Sequence, residues 1–240
     1  MSLPDFDFCL TTNPTEELSI YQRALGSDFY RLHPQIQRRF SLTSARREAC
    51  FCTGTMQRIW RGARWTWPFL QIGTARHILF PEHGENIPFT CENVAYCDPL
   101  GRETVSWIRT FTFPGANRRF DAYMVYNEDS HRIVDYLGTH QHLAVDLDIS
   151  VDPRGGIAIS SGEQRFYEGP AAFRFPDALT GRAQVCEWFD DALEQFRIEV
   201  RVTNNRFGDL MGYSGTFTAQ FQRAETVPNR LLPRRIEARP

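Results

Sequence analysis

The sequence predicts an all-β fold, an antiparallel up-and-down barrel of about ten strands with a small helical segment at its N-terminus. Three observations predict it. Most of the chain after residue 85 consists of segments in which apolar and polar side chains alternate, as they do along a half-buried strand. Short turns rich in Pro, Gly, Asn and Asp separate these segments. The connections are nearly all local, and a meander of this kind closes on itself, whereas a Greek key requires long crossovers.

The N-terminal part is predicted to be helical. Thr12 to Glu17 combine a capping side chain, a proline in the first turn and acids near the positive end of the helix dipole, and Gly26 ends the helix. A second short helix is predicted for residues 34–40. Because the two helices are too small to bury a core of their own, we expect them to pack on the outside or across one end of the β-domain.

The β-strands follow in order, interrupted by one insert. Residues 49–61 form the first predicted strand, and residues 64–73, with two tryptophans and Pro68, are predicted to be a short helical or irregular lid. Pro114 and Gly115 form a tight turn within the aromatic-rich central hairpin. A lid over one mouth makes the predicted barrel calycin- or lipocalin-like, by analogy with the helical lid of fatty-acid-binding barrels. The later strands are predicted at residues 86–96, 104–113, 118–126, 132–137, 143–151, 156–167, 183–189, 196–202 and 213–221.

The predicted domain organisation is one barrel with two extensions. Residues 1–48 form the helical segment packed on the barrel, and residues 49–223 form the barrel, with the lid insert near residues 63–80. Residues 224–240 form an Arg- and Pro-rich arm. We expect this arm to be extended or mobile, because charged chain ends with little apolar content are seldom held down.

Composition narrows the class of protein. The formal net charge is −2 and charged residues make up 23% of the chain, so neither nucleic acid nor a membrane is expected as a partner. The sequence contains no lysine, which excludes Schiff-base chemistry. The six cysteines are scattered without a framework, and we interpret them as reduced thiols of a cytoplasmic protein. The acidic start does not resemble a signal peptide, and no apolar run is long enough to span a membrane.

Seven short motifs also occur in a recognisable order. Together they resemble the bacterial family described as domain of unknown function 4166, over about residues 21–221. Because that family has no assigned activity, the resemblance implies no catalytic residue. The motifs are Phe80-Pro81-Glu82-His83-Gly84, Trp107-Ile108-Arg109-Thr110-Phe111, Arg118-Arg119-Phe120-Asp121-Ala122, Val134-Asp135-Tyr136-Leu137-Gly138, Glu187-Trp188-Phe189-Asp190-Asp191, Phe196-Arg197-Ile198 and Gly212-Tyr213-Ser214-Gly215.

Arg109 is the principal candidate for a functional site. It shares a strand face with Trp107 and Phe111, and an unpaired cation on an apolar face is costly. It therefore requires a carboxylate partner or a ligand. Glu187 lies between Val185 and Phe189 on the apolar face of its own strand. One interpretation is a buried Arg109–Glu187 ion pair that closes the core; the other is a site in which Arg109 holds a ligand carboxylate or enolate.

The functional interpretation assigns roles to further side chains. The candidate proton carriers are Glu187, Asp135, His140 and Tyr213, because burial can raise the pKa of a carboxyl towards neutrality. The candidate ligand-binding residues are Arg109, Trp107, Phe111, Tyr123 and Phe217, since an aromatic lining is typical of pockets for apolar molecules. Arg119 and Asp121 are interpreted as an outward-facing neighbour pair.

A metal-like pattern occurs at His140-Gln141-His142, followed by Asp146. It resembles one strand of a cupin metal site, but a cupin takes a further histidine from a later strand and His142 is the last histidine of the sequence. We therefore predict no metal, and interpret both histidines as strand-end residues next to the turn at Gly138.

Two functions follow from these candidates. The first is the binding of a small, mostly apolar molecule, neutral or anionic, inside the barrel, with Arg109 as its polar anchor. The second is a cofactor-free isomerase or cyclase that uses the same pocket and a buried carboxyl as general acid or base. No nucleotide-binding glycine loop, nucleophile elbow or cofactor fingerprint is present, so no cofactor is expected. The sequence leaves a homodimer open.

Overall fold

The computed structural model describes residues 18–176 and 180–239. Ten strands form a closed antiparallel barrel, with an eleventh strand added at the edge of one of them. The neighbours run β6-β5-β4-β3-β2-β1-β11-β10-β9-β7, and pairing of β6 with β7 closes the ring. The strands are β1 Glu48–Arg61, β2 Gly84–Cys97, β3 Glu103–Phe113, β4 Ala116–Asn127, β5 Arg132–Leu137, β6 Leu143–Val151, β7 Ile157–Glu168, β8 Ala171–Arg174, β9 Arg182–Asp190, β10 Gln195–Asn204 and β11 Gly208–Arg223.

The predicted barrel is therefore confirmed, and its order is a simple meander except at β8. That strand lies between the predicted strands at 156–167 and 183–189, where no strand was predicted, and it pairs only with the end of β7. All four of its residues are exposed, so it offers no pattern of alternating burial from which a strand could be predicted. The tight turn at Pro114 and Gly115 pairs Phe113 with Ala116, and this register determines which residues of β3 and β4 meet inside the barrel.

Two short helices close one end of the barrel, where β4 turns into β5 and β6 into β7. They are α1, Ile20–Leu25, and α2, Pro34–Arg39. Ser19 caps α1 in a capping box with Gln22, while the predicted helix start at residues 12–17 lies outside the described residues. The helix predicted at 34–40 is confirmed. The amide of His33 donates to Gly155 O at 2.7 Å, which attaches α2 to the β6–β7 turn.

A third helix, α3, Trp67–Thr74, lies at the opposite end and follows a 3₁₀ turn at Arg64–Thr66. The helix predicted in this insert is thus present. Two backbone hydrogen bonds fasten the chain after it to the barrel, from Asp121 N to His77 O at 2.9 Å and from Thr139 N to Arg76 O at 3.1 Å. No helix among the described residues has the length and apolar character needed to cross a membrane.

The C-terminal tail, residues 224–239, packs against the outside of the barrel, which corrects the expectation of a mobile arm. Leu231 and Leu232 are buried in a second apolar cluster with Tyr123 and Tyr136 of the outer barrel face. The Tyr136 hydroxyl donates to Arg239 O at 2.8 Å. The apolar side chains of the tail hold it in place, although its composition is mostly Arg and Pro.

The prediction of six reduced cysteines is only partly confirmed. Cys50, Cys52, Cys91 and Cys186 are free thiols. Cys97 is disulfide-bonded, so the prediction is wrong for that residue. Cys9 lies outside the described residues. The spacing of cysteines along the chain gave no indication of this bond, because it contains no repeated framework.

Candidate functional site

The barrel encloses a cavity of about 430 Å³. It extends from the plug formed by α1 and α2 to the underside of α3, and β-strands from most of the ring contribute to its wall. The lining is overwhelmingly apolar, which follows from the inward-facing Leu, Ile and Val residues of the alternating strands. Representative wall residues are Leu70, Leu79, Val145, Val185, Ile198 and Val200.

Three ionisable side chains also reach this cavity, namely Arg109 of β3, Asp135 of β5 and Glu187 of β9. All three were predicted as candidates from the sequence. Each is at least 94% buried. Alternation along each strand accounts for their position, because each side chain shares the inward face with apolar neighbours two residues away.

Arg109 has few partners for a buried cation. Its Nε donates to Phe120 O at 3.3 Å and its Nη1 to the Tyr213 hydroxyl at 3.4 Å. Its guanidinium carbon lies 3.8 Å from the centroid of the Phe120 ring, a cation–π contact. Among the described residues no carboxylate oxygen lies within 4.0 Å of its guanidinium nitrogens. Its hydrogen bonds and its ring contact are thus all with neutral groups, and Asp135 interacts with its charge only without direct contact.

Glu187 is paired with a different arginine. Arg39, the last residue of α2, reaches into the barrel and donates from Nε to Glu187 Oε1 at 2.6 Å, and both side chains are 1% exposed. The Arg109–Glu187 pair that the sequence suggested is therefore wrong as a direct contact. Burial raises the pKa of Glu187, and the charge of Arg39 opposes this rise. The second oxygen, Oε2, has no hydrogen-bond partner among the described residues.

Arg39 makes three further polar contacts. Its Nη1 lies 2.8 Å from Asn93 Oδ1, 3.0 Å from Cys52 Sγ and 3.4 Å from Cys50 Sγ. Its guanidinium also packs on the Trp107 ring, 4.7 Å from the centroid. Together with Glu187 these give Arg39 four hydrogen-bond partners, and the Arg39–Glu187 ion pair forms the floor of the cavity.

Of the two carboxyl groups at the cavity, Asp135 is the one without an ion pair among the described residues. Its Oδ1 is buried and has no hydrogen-bond partner among the described residues. Burial raises the pKa of Asp135 to about 7, while the charge of Arg109 and a backbone hydrogen bond from Tyr123 oppose the rise. An acid with a pKa near 7 is suited to proton transfer at neutral pH.

The aromatic candidates divide into two groups. Trp107 lines the cavity next to Phe40, with the two ring centroids 5.6 Å apart. Phe111 and Phe217 are buried in the aromatic core and do not line the cavity. Tyr213 packs edge-on against Phe111 at 5.1 Å and contributes through its hydroxyl, which holds Arg109.

Tyr123 and His140 lie outside the cavity. Tyr123 is on the outward face of β4, buried beneath the C-terminal tail, because it is one residue away from the inward-facing Ala122 and Met124. Arg119 and Asp121 form the predicted outward pair at 2.9 Å.

His140 and His142 lie between β5 and β6, next to Gly138, as predicted, with their rings stacked at 5.6 Å. His142 contacts Glu168 at 2.9 Å. The described part of the chain contains no group of three or more His, Cys, Asp or Glu side chains arranged to hold a metal ion.

Three further residues of the site, Arg39, Phe40 and Phe120, were not predicted from the sequence. Phe120 could have been found, because the turn that pairs Phe113 with Ala116 also places Arg109 opposite Phe120. Arg39 had no comparable signal. In the sequence it follows Arg38 at the end of a short helix. Arginines at this position usually face solvent, and their positive charge interacts favourably with the negative end of the helix dipole.

Comparison with known proteins gives a family but no solved structure that matches. The chain is 35% identical over 199 residues to the Uncharacterized protein YndH of Bacillus subtilis (strain 168), covering 83% of this chain and 96% of that relative. The family model described as Domain of unknown function (DUF4166) matches residues 32–217, a range that includes Arg39, Arg109, Asp135 and Glu187. The chain therefore belongs to the DUF4166 family.

Proposed function

We propose that this calycin-like barrel binds a small, mostly apolar molecule that carries one anionic group. The observation that carries the proposal is Arg109, a buried cation that faces an apolar cavity and has no carboxylate partner among the described residues. Leaving a buried charge without a counterion is costly, and a ligand anion would remove that cost. The cavity volume of about 430 Å³ falls within the range usual for small-molecule sites.

The proposed orientation follows from where the polar groups are. The Arg39–Glu187 floor lies at the plugged end, because Arg39 is the last residue of α2, whereas α3 lies at the other end and lines the cavity with Leu70. The ligand would therefore place its anionic group deep in the barrel and its apolar part beneath α3. In this orientation the apolar lining and α3 cover the apolar part of the ligand, and Arg109 binds its anionic group.

The experiment begins with native mass spectrometry of the purified full chain, to detect and identify a co-purified small molecule. Calorimetric titration with decanoate and with decan-1-ol then separates the anionic from the apolar contribution. Arg109→Met should weaken decanoate binding at least about thirtyfold, which corresponds to about 2 kcal/mol, and should leave decan-1-ol binding nearly unchanged. Arg58→Ala, at an exposed arginine of β1, is the matched control and should change neither.

A second variant keeps the test decisive if Arg109→Met folds poorly. Ala183 lines the cavity from β9, and Ala183→Trp should fill the space and reduce the binding of both probes. Binding that survives Ala183→Trp, or decanoate binding that is insensitive to Arg109→Met in a folded protein, would contradict the proposal.

Asp135 favours a second candidate function, a cofactor-free isomerase or cyclase. Its raised pKa and its unpartnered Oδ1 at the cavity wall are what a general acid requires. In that case Asp135→Asn should retain the co-purified molecule but stop its conversion, as measured by mass spectrometry of the compound after incubation. Equal conversion by wild type and Asp135→Asn would exclude this role for Asp135.

A further inference from the structure

Asp135 and Arg109 face the same cavity, and among the described residues neither side chain is in an ion pair within 4.0 Å. Asp135 Oδ1 has no hydrogen-bond partner among the described residues, and the guanidinium of Arg109 has no carboxylate within 4.0 Å there. The two groups therefore do not satisfy each other directly. Buried polar atoms are nearly always paired, so the unpartnered Oδ1 of Asp135, facing the same cavity as a guanidinium without a carboxylate contact, indicates that a third group belongs between them.

The chemistry of that third group is restricted by charge. An anion next to Arg109 would neutralise the cation, but it would also place a second negative charge near Asp135. Two like charges in one buried site favour protonation of one of them. A protonated carboxyl is a hydrogen-bond donor, so protonation would convert Asp135 from a repelling neighbour into a second donor for the ligand.

We infer that the barrel takes up one proton with each anionic ligand, whose acid group accepts hydrogen bonds from Arg109 on one side and from the protonated carboxyl of Asp135 on the other. This inference rests on the proposed function and narrows the ligand class to monoanions such as carboxylates or sulfonates. A dianion would leave its second charge uncompensated, because Arg39 is already paired with Glu187 at 2.6 Å.

The other groups around Asp135 do not replace it as the proton acceptor. Arg109 of β3 and Tyr21 of α1 interact with it electrostatically. Burial keeps the pKa of Tyr21 above its ordinary value, and an arginine remains charged. Its neighbour on β6, Val145, does not titrate. Glu187 of β9 also has a raised pKa, but its charge is matched by Arg39.

Burial raises the pKa of the free Asp135 to about 7, which sets the pH at which uptake is measurable. Well below pH 7 the carboxyl already carries its proton, and binding requires none. At pH 8 the carboxyl of the free protein is mostly ionised, so binding must be accompanied by proton uptake. Affinity should then fall as pH rises, by about tenfold per pH unit between pH 7.5 and 9.

The test is calorimetric titration at pH 8 in two buffers with different ionisation enthalpies, which counts the protons taken up. The probes are decanoate and decane-1-sulfonate, since the sulfonate cannot itself be protonated. Wild type should take up close to one proton with either probe, and close to none at pH 5.5. Asp135→Asn should bind both probes with no proton uptake and with little dependence of affinity on pH. Glu187→Gln should retain the uptake.

The outcomes separate this inference from the proposed function. If neither probe binds wild type, the proposed function fails. If both bind without proton uptake, the function stands and the proton coupling is overturned. Uptake with decanoate alone would place the proton on the ligand, and uptake that persists in Asp135→Asn but disappears in Glu187→Gln would place it on Glu187. Either result would overturn the role of Asp135.

Discussion

At the scale of single residues, Arg39 and Arg109 are two buried guanidiniums with opposite surroundings. Arg39 has a carboxylate, an amide oxygen and two thiols as partners, whereas Arg109 has only a carbonyl and a hydroxyl as hydrogen-bond acceptors among the described residues. Arg39→Met should therefore destabilise the fold by about 3–5 kcal/mol, because it leaves Glu187 buried without a counterion. Urea unfolding followed by circular dichroism measures this loss.

The adjacent Arg38 provides the matched control. It also forms an ion pair, with Glu48 at 2.9 Å, but its side chain is 36% exposed. Water screens such a pair, so Arg38→Met should cost no more than about 1 kcal/mol. Equal losses for the two variants would contradict the view that Arg39 is structural and that its charge is compensated by Glu187.

Sequence reasoning placed Arg109, Asp135 and Glu187 in the barrel because alternation along a strand is a local property. The same reasoning could not determine their partners. Which carboxylate meets which arginine depends on how α2 enters the end of the barrel, and this is set by packing between residues far apart in the chain. Arg39 and Glu187 are 148 residues apart in the sequence, and nothing in the helix Pro34–Arg39 distinguishes its inward arginine from its outward one.

At the scale of elements, α3 covers one end of the cavity, and we expect ligands to enter beneath it. Its Leu70 is buried and lines the cavity, whereas its Trp67 is 49% exposed and does not. Leu70→Ala should loosen the cover over the cavity, so that the rate constants for binding and release of decanoate both rise about tenfold while the affinity changes less. Stopped-flow measurement of both rate constants is the appropriate experiment.

Trp67→Ala is the control on the same helix and should leave both rate constants nearly unchanged. If Leu70→Ala changes only the affinity, its side chain contributes to binding but α3 does not gate the cavity. If Trp67→Ala accelerates release as strongly as Leu70→Ala, then either substitution loosens the whole helix, and Leu70 is not the residue that holds α3 over the cavity.

At the scale of the whole molecule, the barrel wall separates two apolar clusters. The inner cluster includes Phe111 and Phe217 and surrounds the cavity, and the outer one places Tyr123 and Tyr136 beneath the C-terminal tail. The barrel was predictable because its turns and strands are local signals. The outer cluster was not, because a tail rich in Arg and Pro gives no periodic pattern, and its few apolar side chains matter only once the barrel presents a surface for them.

This separation predicts that stability and binding respond independently to changes in the tail. Leu231 is 1% exposed in the outer cluster, so Leu231→Ala should lower the free energy of unfolding by about 2–3 kcal/mol. Leu193→Ala, at a leucine that is 49% exposed, should change it by no more than about 0.5 kcal/mol.

Because the outer cluster does not reach the cavity, both variants should bind decanoate with the affinity of wild type under conditions in which they are folded. A loss of affinity in folded Leu231→Ala would show that the tail acts on the cavity through the barrel wall, and an unchanged unfolding free energy would show that the tail contributes nothing to the fold.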